Sequence, residues 1–218
     1  MLASLKKKET YKKYFKSFRF AFYCLTHPLD GYWDLTHEKR GTMAVANTIL
    51  ILTLVTRIAT LRYTSFLFNK VYWPDINIFL YCATIVFPLA LWCLGNWGLT
   101  TLFDGKGRLK QVYMGTCYAM LPYPLINLPL IVISNMVTED EGSFYTVLVT
   151  ISLGWAALWI IAAMMQIHEY TIGKTILFTV ATIFAMLVLI FLLLLFFSMF
   201  SSGISYFITI GKEIMFRQ

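Results

Sequence analysis

The sequence predicts an all-α membrane protein, with five transmembrane helices and an N-terminal amphipathic interfacial helix. Three observations carry this. Hydrophobic residues make up 59% of the 218 and charged residues only 13%, with a mean hydropathy of +0.69. A soluble domain carries about 25% charged residues. The apolar residues gather into five runs, each near or above the roughly 20 residues that cross ~30 Å of hydrocarbon as a helix. The first twenty residues hold seven Lys and Arg against one Glu, the bias of a segment kept on the cytoplasmic side.

The elements follow in order. In ETYKKYFKSFRFAFYCLTHP, Tyr11, Tyr14, Phe15, Phe18 and Phe22 recur at helical spacing, while Lys12, Lys13, Lys16 and Arg19 fall largely elsewhere. Residues 1–29 are therefore expected as a basic helix lying on the inner membrane surface, closed by the turn His27-Pro28-Leu29-Asp30-Gly31. Residues 30–200 are expected as one membrane domain, with spans over 42–63, 76–102, 112–137, 144–167 and 175–200. Helices are required, because an open strand edge cannot be satisfied in lipid. Residues 201–218 are expected as a short extracytoplasmic segment. The late start of the first run, near Thr42, argues against a cleavable signal peptide.

Loop charge sets the orientation. Lys106, Arg108 and Lys110 place the second-to-third loop in the cytoplasm, and Glu139, Asp140 and Glu141 place the third-to-fourth loop outside. The C-terminus is then extracytoplasmic. Lys70, Lys212 and Arg217 are weaker signals of the opposite sign.

The polar cluster DGYWDLTHEKRGT precedes the first run. His37-Glu38 fails as a zinc-protease motif, because position 41 is Gly where a second His is needed. His27 and His168-Glu169 add no ligand spacing. The four cysteines show no CxxC pattern. GKGRLK lacks the full phosphate-loop pattern and no strand precedes it. No cofactor, metal or nucleic acid is expected. The spans contain no Ser-His pair, paired acids or Cys-His dyad at a usable depth, so a non-enzyme is expected.

Inside the spans, Arg57 is the only charge well away from an end. Fifteen residues past Thr42, it lies about 22 Å along the helix. It reads either as a snorkelling side chain or as a buried contact or solute site. Asn96 and Asn127 are the other notable polar groups, together with Asn135. Pro122, Pro124 and Pro129 predict a kinked third span or a groove near YAMLPYPL. Gly154, Ala156, Ala157, Ala162 and Ala163 offer a small-residue face for close helix contact.

Three stretches, HPLDGYWDLTHEKRGT, NWGLTTLFDGKGRLKQVY and MGTCYAMLPYPL, together resemble the Yip family of Ypt/Rab-interacting multispanning membrane proteins, in its compact bacterial form. Gly115, Tyr118 and Pro122 are similar to the family's Gly-x-x-Tyr-x-x-x-Pro pattern. The resemblance implies five spans with a cytoplasmic N-terminus. For eukaryotic members it implies a role in vesicle traffic through small GTPases. For the compact bacterial form it implies an accessory subunit in the plasma membrane, encoded beside sugar-importing ABC permeases.

The expected function is thus a non-enzymatic adaptor or accessory subunit whose partners are the bilayer and an ABC permease or its ATPase. Trp33, Asp34, His37, Glu38, Arg40, Asp104 and Lys106 are its expected docking collar at the cytoplasmic face. Arg57, Asn96, Gly115, Tyr118, Pro122, Asn127 and Gly154 are its expected intramembrane packing or groove residues. The alternatives are a stand-alone solute transporter or channel and a small-GTPase-linked membrane organiser.

Overall fold

A computed structural model describes residues 2–68, 76–138 and 141–216. They form α1 (Leu2–Thr26), α2 (Pro28–Thr36), α3 (Met43–Tyr63), α4 (Ile78–Leu102), α5 (Leu109–Ala119), α6 (Pro122–Ser134), α7 (Gly142–His168) and α8 (Ile172–Phe216). Helices α3, α4, the α5–α6 pair, α7 and α8 are long and apolar enough to cross a membrane. Lys70, Glu139, Asp140 and Arg217 lie outside the described residues.

The third span is central. In its most apolar stretch 61% of residues are buried, against 28% or less in every other span and 6% in the last. Val112, Cys117, Tyr118 and Ala119 of α5 are completely or almost completely buried. Around them pack Val45, Ala46 and Ile49 of α3 and Ala163, Met164 and Ile167 of α7. The span is two helices rather than one kinked helix. Met120 and Leu121 separate them, and Pro122 opens α6, where its missing N–H costs nothing.

Helix α1 has two apolar faces. Phe20, Ala21, Cys24 and Leu25 are buried in the structure, with Tyr14 and Phe18 half-buried beside them. Phe15 and Phe22, from the face predicted to meet lipid, remain exposed. The Tyr11 side chain lies outside the described residues. Polar ties reinforce the docked face. Trp159 Nε1 donates to the Cys24 carbonyl at 3.1 Å, and the Ser17 hydroxyl donates to the Arg40 carbonyl at 3.0 Å. Gly31 of α2 lies against Cys24 so closely that a Cβ there would be 2.8 Å from the Cys24 Cα. Only glycine permits that crossing.

Helix α8 departs from its expected length. It continues past Phe200 to Phe216 with no break at Ser201-Ser202-Gly203. Its 45 residues correspond to about 67 Å, more than twice the hydrocarbon thickness.

Candidate functional site

Three loops meet at one end of the bundle: the α2–α3, α4–α5 and α7–α8 connections. The expected collar residues lie on the first two and on α2. Asp34 and Glu38 both face Arg40, whose Nη1 ion-pairs with Asp34 Oδ2 and lies 3.9 Å from Glu38 Oε2. The same guanidinium sits over the Phe20 ring at 4.9 Å, so it also holds α1. His37 stacks on Trp33 with ring centroids 3.7 Å apart. Trp33 nevertheless stays 43% exposed, a large aromatic available at the rim.

Glu169 joins the loops, and it was not among the expected collar residues. One carboxylate oxygen lies 3.3 Å from His37 Nε2, and the other receives a hydrogen bond from the Lys106 ammonium. The Lys106 hydrogen bond, with His37 as a smaller contributor, holds the Glu169 carboxyl below the usual range. Asp104 is exposed and has no ion pair among the described residues.

Beneath this layer lies a buried polar chain. The His168 Nδ1 accepts the Gly107 N–H at 3.3 Å, which leaves the proton on Nε2 to be donated to Asn96 Oδ1 at 2.9 Å. Asn96 Nδ2 then donates to Thr182 Oγ1 at 3.2 Å. Asn96 is therefore a bridge from α4 to α7 and α8. The glycines of DGKG have a steric reason. A Cβ on Gly107 would be 2.6 Å from His168 Cε1, and one on Gly105 would be 2.8 Å from the Tyr170 hydroxyl. His168 and Glu169 carry a signal in sequence only as adjacent polar residues in a short loop between apolar runs.

The Gly-Tyr-Pro pattern forms one joint. Gly115 faces α7, where an added Cβ would come within 2.4 Å of Ile167 Cδ1. The Tyr118 hydroxyl, one turn on, accepts the Thr42 N–H at 3.2 Å and so ties the collar loop to the central span. Pro122 opens α6, the second half of the span.

The remaining intramembrane residues stand apart. Asn127 donates to Ser152 Oγ on α7 at 2.7 Å and to the Tyr123 carbonyl. Arg57 lies over the Tyr81 ring at 5.2 Å and borders a cleft of about 480 Å³ lined also by Thr53, Thr84, Met120, Tyr123 and Leu153. This cleft sits beside the α5–α6 break. Gly154 faces open space, with nothing within 4 Å of a Cβ there. Asn96, Asn127 and Arg57 thus occupy three separate settings. Cys24 adjoins the collar through Gly31, and burial pushes its thiol up to about 12, which disfavours the nucleophilic thiolate.

The model of the Yip1 domain matches residues 22–209, most of the chain. The chain belongs to the Yip1-domain family. No curated protein and no solved structure matches it. The Yip1 match starts within α1 and ends within α8, so it takes in the whole collar and every intramembrane residue discussed above. The chain is accordingly an integral membrane protein of a family not known for enzymatic activity.

Proposed function

We propose that this Yip1-domain protein is a non-enzymatic adaptor or accessory subunit that docks another membrane complex through its collar. The observation that carries this is the exposed Trp33–His37 stack beside paired charges drawn from three loops. The interior offers the opposite picture, since Asn96 and Asn127 are each engaged in hydrogen bonds between helices. The collar faces the cytoplasm, with the C-terminus outside. The basic first helix and the cations of the α4–α5 loop support this orientation. A sugar-importing ABC transporter of a bacterial plasma membrane is the proposed partner. That assignment rests on the resemblance to compact bacterial Yip proteins.

The test is recovery of partners from native membranes in mild detergent, with Asp34→Asn, Glu38→Gln and Arg40→Gln combined. Each contact is exposed and weak alone, so the three are changed together. The expected result is a permease or ATPase recovered with the natural protein and lost with the folded variant. Normal recovery by the variant would refute the docking reading. A second reading is a stand-alone transporter, and the Arg57 cleft is the one feature that favours it. It predicts flux into liposomes that falls when Arg57 is replaced by Met.

A further inference from the structure

Four cations converge where α3 and α5 begin. Lys13 of α1, Lys39 of the α2–α3 loop, and Arg108 and Lys110 at the start of α5 line a cleft of about 400 Å³. None of its lining residues is acidic. None of the four cations forms an ion pair among the described residues. Lys39 is held at a φ of 52°, in the left-handed region that a lysine seldom occupies. Met43 and Met114 supply an apolar wall. Both belong to helices that enter the apolar layer at this point.

Like charges around one cavity repel each other, and a bound anion relieves the repulsion. The position decides which anion. The cleft lies at the first residues of two spans, which is the level of the lipid headgroups. Its cations suit a phosphate, and its methionine wall suits the glycerol and first acyl carbons. We infer that this cleft is a binding site for the phosphate headgroup of an anionic phospholipid, which clips α1 to the bundle through Lys13. The inference is independent of the proposed partner and of which side the collar faces.

The test uses the full-length protein in nanodiscs of equal phosphatidylcholine and phosphatidylglycerol. It is transferred to mild detergent, and the retained lipids are counted by native mass spectrometry. A cation near an anionic surface contributes about a fivefold preference. The natural protein is expected to retain phosphatidylglycerol at least about tenfold over phosphatidylcholine. Combined Lys39→Gln, Arg108→Gln and Lys110→Gln should bring the ratio close to one. The control, Lys12→Gln, Lys16→Gln and Arg19→Gln together, removes the same charge from α1 outside the cleft and should keep most of the preference. Equal loss in both variants would mean general surface attraction and would overturn the site. Complete displacement of the lipid by about 10 mM inorganic phosphate would overturn the lipid reading in favour of a free-anion site. If the cleft variant does not fold, Lys110→Gln alone replaces it, with Lys12→Gln as its control, and an equal fall of the ratio in both, or no fall in Lys110→Gln, refutes the proposal.

Discussion

Replacing Asn96 by Leu separates a bridging role from mere burial. Asn96, His168 and Thr182 are almost completely buried. The substitution leaves the His168 Nε2–H without its acceptor. An orphaned buried donor costs about 1–3 kcal/mol. Thr182 is different, because its hydroxyl still donates to the Phe178 carbonyl at 2.7 Å. Thr182→Val also strands one N–H of the buried Asn96 amide, but it breaks one hydrogen bond between helices where Asn96→Leu breaks two. Hydrogen bonds between membrane helices average about 0.6 kcal/mol. The expected order is therefore Asn96→Leu above Thr182→Val. The assay is reversible unfolding in mixed micelles, run as a double-mutant cycle with His168→Leu. The double variant should cost clearly less than the sum of the singles, since the second change removes the donor stranded by the first. Additivity within about 0.5 kcal/mol would refute the bridge.

Further outcomes follow from the same geometry. Gly115→Leu should destabilise by about 1–3 kcal/mol through overpacking against Ile167, and Ile167→Ala should restore part of the loss. Gly154→Leu should leave the melting temperature unchanged, because that position faces open space. Gly31→Ala should push α2 from α1 and make Cys24 label with maleimide at pH 8, where the natural buried thiol stays protonated and unlabelled; peptide mass spectrometry reads the site. The Glu169 carboxyl is lowered in the folded protein. Its contribution is present above the ordinary carboxylate value of 4.5 and is lost as pH falls through the depressed one. Hydrogen exchange in the 103–108 loop, after correction for intrinsic rates, should therefore rise as pH falls below about 4.5. Glu169→Gln should abolish the step.

The five spans were legible because apolar length alone specifies a membrane helix. The meeting of the collar loops was legible too, since successive spans alternate direction and return every second loop to the same end. The α5–α6 break was half legible. Pro122 and Pro124 announce a disturbance, yet a kink and a full break have the same sequence signal, and only packing at Met120–Leu121 decides. The docked face of α1 was hidden because Ser17, Ala21 and Cys24, which fill it around Phe20, are small residues that a count of aromatics passes over. Glu169 was hidden for another reason. Metal-site spacing asks what lies four residues away, whereas its partners, His37 and Lys106, are 132 and 63 residues distant. The continuity of α8 through Ser201-Ser202-Gly203 has no sequence signal against it beyond three weak helix formers.

Backbone conformation gives the collar its last argument. Three non-glycine residues among those described have positive φ: Lys39 at 52°, Asp104 at 57° and Glu169 at 55°. One sits in each of the three loops that form the collar. Helix ends that turn left-handed normally carry glycine, which meets no Cβ penalty there. Glu169 occupies such a position at the end of α7. Backbone preference alone would favour glycine at that point, so the Glu169 side chain sits there at a conformational cost. Glu169→Gly separates the two demands. It relieves the strained backbone and removes the contacts to His37 and Lys106. The expected outcome is an unchanged or raised melting temperature together with reduced partner recovery. A lowered melting temperature would show that Glu169 serves the fold itself, and the docking reading would then rest on the Trp33–His37 stack and the Asp34–Arg40 pair without it.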